Sequence, residues 1–142
     1  MAAISKKKIV APAASGGGSG DVSLKVNKSG DTLSGPVNAN QGTNIASSGT
    51  TNIGAATGEY VHITGTTTIT AFDTIQAGTM RTLVFDGALT ITHNSTTMIL
   101  PNAMSILTAA GDVAIFRSEG SGNWSLISYQ RADELWTTCN ST

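Results

Sequence analysis

The stretch Arg81-Thr82-Leu83-Val84-Phe85-Asp86-Gly87-Ala88-Leu89-Thr90-Ile91-Thr92-His93 decides the fold class of this chain. β-Branched and aromatic residues fill the two runs on either side of Asp86-Gly87, and such residues favour strands. Asp-Gly between two such runs is a strong signal for a two-residue hairpin turn. The stretch therefore predicts two strands joined by a tight turn.

Short runs of the same kind recur along the chain, separated by Gly, Asn, Asp or Pro. They lie at residues 60–64, 66–72, 98–100, 112–117 and 124–129, the last two being a pair joined at Glu119-Gly120-Ser121-Gly122-Asn123. Residues 102–110 and 131–136 are compatible with helix but short. The pattern predicts an all-β fold, a small antiparallel sandwich or jelly-roll-like body. The echo of Thr68-Ile69-Thr70 in Thr90-Ile91-Thr92 is too short to indicate an internal repeat.

Three segments follow from the changes in composition. Residues 1–21 lack periodicity and include the linker-like Ser15-Gly16-Gly17-Gly18-Ser19-Gly20, so they are predicted to be a flexible basic arm. Residues 22–56 are predicted to be an anchoring and connecting segment, in which Ile45 and Ile53 are isolated apolar anchors. Residues 57–142 are predicted to be the β-rich body.

Charge is divided unevenly along the chain. Residues 1–28 carry five lysines against Asp21, a net charge of +4, whereas residues 29–142 carry three arginines against eight acids, a net charge of −5. A basic arm on a mildly acidic body suggests that the arm meets an acidic surface. The alternative is that the lysines only keep the arm soluble.

The composition also predicts self-association of the chain. Charged residues make up 12% of the chain and aromatic residues 5%, and large apolar residues are few, so one copy buries only a small core. Cys139 is the single cysteine, which excludes a disulfide within the chain. No cluster of His, Cys, Asp and Glu offers a metal site, and no cofactor motif is present. Oligomerisation is therefore the expected source of stability.

No residue pattern indicates an enzyme. His62 and His93 each alternate with apolar residues in strand-like runs and are interpreted as structural or exposed. A carboxylate pair for glycan cleavage is conceivable among Glu59, Asp73 and Asp86, but the chain is far too short for such an enzyme. We predict no catalytic residue.

Two aromatic residues could form a site that stacks on sugar rings. Trp124 and Tyr129 have opposite parity, so in one regular strand they would face opposite sides of the sheet. Packing in the core or at a subunit interface is therefore favoured for both.

Membrane and nucleic-acid partners are not indicated either. The three lysines near the N-terminus are not followed by a hydrophobic run long enough for a signal peptide or a membrane span, so synthesis in a cytoplasm is expected. Lys6-Lys7-Lys8 without aromatic residues or a binding fold makes nucleic acid an unlikely partner.

Two parts of the chain resemble proteins of tailed bacteriophages. Ser29-Gly30-Asp31-Thr32-Leu33-Ser34-Gly35-Pro36 resembles the G-D-T-(M/L)-(S/T)-G-P box of phage fibre and spike proteins. Residues 57–133, which contain TGEYVHITGTTTITAFDT, AGTMRTLVFDGALTITHN, MILPNA and TAAGDVAIFRSEGSGNWSLISYQRAD, are similar to a β domain of phage tail-fibre and head-associated proteins. The resemblance implies a structural virion protein that forms a homotrimer.

The chain is short for a tail fibre, which needs both a shaft and a receptor-binding tip. The resemblance therefore implies a capsid decoration (cement) protein on the capsid exterior, with the major capsid protein as its partner. The alternative is a short head or tail fibre that contacts tail or vertex proteins and binds host-surface glycans.

Two sets of residues are assigned to these roles. The capsid-anchoring set is Lys6, Lys7, Lys8, Ile9, Val10, Pro12, Asp31, Thr32, Leu33, Gly35 and Pro36. The set assigned to the core or the trimer interface is Tyr60, Phe72, Leu83, Phe85, Ile91, Ile115, Phe116, Trp124 and Tyr129.

Overall fold

Short strands rich in Thr, Val and Ile form the body in the computed structural model, which describes residues 39–133. The strands are β1 (Ile45–Ala46), β2 (Thr50–Thr51), β3 (Tyr60–Thr64), β4 (Ala71–Phe72), β5 (Met80–Phe85), β6 (Thr90–Ile91), β7 (Met98–Ile99), β8 (Ile106–Leu107), β9 (Val113–Gly120) and β10 (Asn123–Gln130). The prediction of an all-β body is confirmed. The sequence of residues 102–110 is compatible with helix, but the structure has no α-helix there. It has a 3₁₀ turn at Pro101–Ala103, followed by strand β8.

A curled six-stranded sheet is the larger layer, with strand order β1-β3-β5-β9-β10-β7. The predicted pairing of the last two long strands is confirmed, because β9 and β10 form an antiparallel hairpin. Ser121 (φ 55°) and Gly122 (φ 78°) close it in the left-handed conformation that a type I′ turn requires. The sheet is nevertheless mixed rather than purely antiparallel, since β1–β3, β3–β5 and β7–β10 are parallel pairs.

The second layer arises because the chain returns to lie parallel to itself about once every 20 residues, as in the coils of a β-solenoid. Ile45 pairs with Ile63 and Ile63 with Phe85 in the large sheet. On the other side, β2 pairs in parallel with β4, and Ile69 pairs in parallel with Ile91. The two isoleucines of the short Thr-Ile-Thr echo are thus neighbours in adjacent coils.

The hairpin predicted at Asp86-Gly87 is also wrong. Strand β5 lies between β3 and β9, whereas β6 pairs with β8 in the second layer. The chain turns a corner at this point instead of folding back on itself. Leu89 and Ile91 are then buried between the layers, and the free energy of this burial outweighs the local preference of the turn sequence.

Aromatic side chains fill the centre of the core. The ring of Phe72 packs edge-to-face on Phe116 and on Trp124, with centroid distances of 5.0 and 5.7 Å. The indole N–H of Trp124 donates a hydrogen bond of 2.9 Å to the carbonyl oxygen of Asp73, so this buried polar atom has a partner. The core therefore holds the two layers together.

Part of the predicted connecting segment packs with the body. Residues 39–56 contain β1 and β2, and the side chain of Ile53 is fully buried. Ile45 is half-buried against the same core. The interpretation of the two isoleucines as apolar anchors is confirmed for this stretch.

Candidate functional site

The residues assigned to capsid anchoring lie outside the residues that the structure describes. This applies to Lys6, Lys7, Lys8, Ile9, Val10, Pro12, Asp31, Thr32, Leu33, Gly35 and Pro36. Their role stays a prediction.

The residues assigned to packing divide into two groups. The fully or almost fully buried ones, which belong to the core of a single copy, are Phe72, Leu83, Phe85, Ile91, Phe116 and Trp124. Tyr60, Ile115 and Tyr129 are half-buried. Ile115 and Tyr60 point away from the core, so these two are the members of the set that a second molecule could cover.

A β-bulge in β10 determines where Trp124 and Tyr129 point. The register shifts between Leu126 and Ser128, which leaves Ile127 without a partner residue. Beyond the bulge Tyr129 lies opposite Ala114, on the same face as Trp124, and both pack on the core. The parity argument was therefore wrong about the two faces, because it assumed a regular strand.

The face of the large sheet that points away from the core is the main candidate site, and it is called the outer face below. Its middle is formed by residues that lie opposite one another across the strands: Thr82 opposite Ile115, and Val84 opposite Val113. All four side chains are half-buried in a single copy. Uncharged β-branched side chains thus form the middle of the outer face.

Exposed apolar side chains extend the outer face. Met80 and Ile99 are each 42% exposed, and Ile127 in the bulge is 48% exposed. Met80 lies opposite Arg117, and Ile99 lies opposite Ser125 at the other edge of the sheet. Scattered exposed apolar residues are ordinary, but a contiguous patch marks a surface that another molecule covers.

The charges at one end of the outer face are paired. The guanidinium of Arg117 donates hydrogen bonds of 3.0 and 2.7 Å to a single carboxylate oxygen of Glu119. These bonds, with a further one from Ser125, hold the pKa of Glu119 below its usual value. A partner that covers the face therefore needs no compensating charge here.

The other end carries a chain of three polar side chains. The phenol oxygen of Tyr60 lies 2.8 Å from His62 Nε2, and His62 Nδ1 lies 2.5 Å from a carboxylate oxygen of Asp86. The order phenol, imidazole, carboxylate is that of a nucleophile, a base and an orienting acid. None of these three residues lines the pocket described in the next paragraph. Their hydrogen bonds connect strand β3 to the turn after β5.

His93 has a structural role, because its Nδ1 accepts a hydrogen bond from the backbone N–H of Leu100.

A pocket of about 340 Å³ lies beside the first coil. Asn40, Thr57, Gly58, Glu59 and Arg81 form most of its wall. Arg81 extends from β5 toward the core and is only 9% exposed, an unusual position for a charged side chain. The pocket is thus small, polar and bounded by one acid and one buried base.

Asp112, which is fully buried, ties the end of β10 to the loop before β9. Its carboxylate accepts hydrogen bonds from the Tyr129 hydroxyl and from the backbone N–H groups of Ala109 and Ala132. Burial raises the pKa of Asp112, but these bonds and nearby Arg131 outweigh it, so the pKa lies below its usual value. Burial and the bond to Asp112 raise the pKa of Tyr129 in turn.

Neither a metal cluster nor a membrane-spanning helix is found in the part of the chain that the structure describes, residues 39–133. The candidate sites within these residues are the outer face and the polar pocket lined by Arg81. No protein-family model matches the chain, and no curated protein or solved structure matches it.

The outer face and the buried arginine were missed from the sequence. The signal for the face was present, because Leu83, Val84 and Phe85 are apolar in succession, as are Val113 to Phe116. Successive residues of a strand point to opposite faces of the sheet, so apolar residues at consecutive positions indicate a strand that is covered on both faces. No comparable signal marks Arg81 as buried.

Proposed function

We propose that this protein is a structural component of a tailed-bacteriophage virion, a homotrimeric capsid decoration protein. Its body would project from the capsid, and residues 1–42 would dock on the major capsid protein. The observation that carries self-association is the outer face, where apolar side chains lie beside the Arg117–Glu119 pair, whose charges are already matched within one copy.

The phage assignment rests on the box at residues 29–36 and on the similarity of residues 57–133 to phage β domains. The five lysines of residues 1–28 support docking on an acidic surface. Covering the outer face with identical copies would supply the apolar burial that a chain with few large apolar residues lacks.

The copy number of the chain in purified virions tests this function. Quantitative mass spectrometry against the major capsid protein gives the ratio directly. A decoration protein is expected to be present at a stoichiometry comparable to that of the capsid subunits. A ratio that corresponds to a few trimers per particle would contradict decoration and would favour the short head or tail fibre that adsorbs to host glycans.

A further inference from the structure

Arg81 is a buried cation whose acidic partner is missing from the described residues. Its guanidinium donates to three backbone carbonyls, those of Ile53 at 3.1 Å, Met80 at 3.0 Å and Gly54 at 3.4 Å. The close contacts between basic and acidic side chains within residues 39–133 join His62 to Asp86 and Arg117 to Glu119, and neither includes Arg81. Removing a charge from water is costly unless an opposite charge compensates it.

The same guanidinium forms part of the wall of the 340 Å³ pocket. Its three hydrogen bonds do not use all the N–H groups of an arginine side chain, and a guanidinium binds a carboxylate with two parallel bonds. The rest of the described wall combines polar side chains with small residues, namely Asn40, Thr57, Glu59, Ala39, Ala56 and Gly58. A small polar group therefore fits the pocket better than a large apolar one.

We propose that this pocket, the Arg81 pocket, binds a carboxylate, and that the carboxylate is an acidic side chain of a protein partner. Sugars in protein sites commonly stack on aromatic rings, and none of the residues between 39 and 133 that line this pocket is aromatic. An acidic side chain needs only the charge and the hydrogen bonds that Arg81, Asn40 and Thr57 supply.

The position of the pocket also favours a protein partner. Ala39 and Asn40, which belong to its wall, continue directly into the segment that is predicted to anchor the protein. An acidic side chain of the capsid would then meet Arg81 beside Ala39 and Asn40, which end the part of that segment nearest to the body in sequence. The identity of the partner rests on the proposed function, whereas the preference of the pocket for a carboxylate does not.

Titration of the isotope-labelled full-length protein, followed by NMR, tests the proposal without any virion. The probe is N-acetylglutamate N-methylamide, and its neutral isostere N-acetylglutamine N-methylamide is the matched control at equal ionic strength. The readouts are the side-chain Nε–H signal of Arg81 and the amide signals of Gly58 and Glu59. The Nε–H signal of Arg117, which is already bound to Glu119, is an internal reference.

We expect the glutamate probe to shift the Arg81 signal saturably and to leave the Arg117 signal nearly unchanged, and we expect no saturable shift with the glutamine isostere. Glu59→Gln removes a like charge from the pocket wall and should tighten binding by about threefold. Equal responses of Arg81 and Arg117, or equal binding of the two probes, would overturn the site.

Glucuronate provides the third arm of the experiment. Weaker binding of glucuronate than of the glutamate probe supports the protein partner. Tighter binding of glucuronate would overturn it in favour of an acidic sugar. All these measurements use the isolated protein. A negative result would therefore count against the carboxylate site alone, and the proposed virion function would still be tested separately by the copy number.

Discussion

Hydrogen bonds to the Asp112 carboxylate hold the end of β10 against the loop before β9. This carboxylate is fully buried and is held ionised by a hydroxyl and two backbone N–H groups. A buried carboxylate is stabilising only while its hydrogen bonds exceed the cost of its desolvation. The lowered pKa of Asp112 indicates that they do.

Asp112→Asn is expected to lower the free energy of unfolding by about 2–3 kcal/mol at neutral pH. The amide keeps the size of the side chain, but its NH₂ group cannot accept the bonds that the second carboxylate oxygen receives. Urea denaturation at a fixed protein concentration measures the loss. Glu59→Gln is the control, because Glu59 is exposed and its replacement should change stability by less than about 0.5 kcal/mol.

The pH dependence of the same effect has a definite sign. Because the pKa of Asp112 is lower in the folded state, its stabilising contribution is fully present above the unfolded pKa of about 4. The contribution is lost as the pH falls through the folded pKa. The stability difference between the native protein and Asp112→Asn should therefore shrink below about pH 4. A difference that stays constant from neutral to acidic pH would show that the charge of Asp112 is irrelevant.

At the scale of elements, the body is held by pairing between successive coils. Ile69 and Ile91 lie side by side in adjacent coils, and both side chains are fully buried. The flanking Thr68 is exposed. A short echo in sequence thus corresponds to a shared position in the coil.

Ile69→Ala and Ile91→Ala are each expected to destabilise the protein by about 2–4 kcal/mol, because each leaves a cavity between the two layers. Thr68→Ala, next to Ile69 but outside the core, should change stability by less than about 0.5 kcal/mol. Thermal and urea unfolding of the three variants gives the comparison. A loss at Thr68 as large as that at Ile69 would contradict the register of the coils.

For the whole molecule, the decisive feature within residues 39–133 is that the described core covers one face of the large sheet and not the other. The outer face has Thr82, Val84, Val113 and Ile115 at its middle and the paired charges of Arg117 and Glu119 at one end. This apolar surface is the one through which we propose that copies of the chain associate.

If copies of the chain associate through the outer face as proposed, Ile115→Arg is expected to give a monomer, because it brings like charges together and leaves each without a partner at the centre of the interface. Thr68→Arg adds the same charge at an exposed position off the sheet and should leave the oligomeric state unchanged. Light scattering coupled to size-exclusion chromatography measures the mass, and circular dichroism checks that both variants stay folded. If Ile115→Arg kept the mass of the native assembly, the outer face would not be the interface.

The sequence by itself determined the all-β class and the final hairpin. Alternating β-branched and aromatic residues carry that information locally, and Ser121-Gly122 supplies the left-handed conformations of the turn. The tertiary structure alone decided the parallel coils, the corner at Asp86-Gly87, the common face of Trp124 and Tyr129 and the burial of Arg81.

The physical reason is the range of the interactions. A turn or a strand preference depends on neighbouring residues, whereas the pairing of Ile69 with Ile91 depends on which arrangement buries the most apolar surface across the whole chain. The bulge at Ile127 moves every later side chain of the strand to the opposite face of the sheet from the one that a regular strand would give it. No feature of the local sequence predicts this bulge.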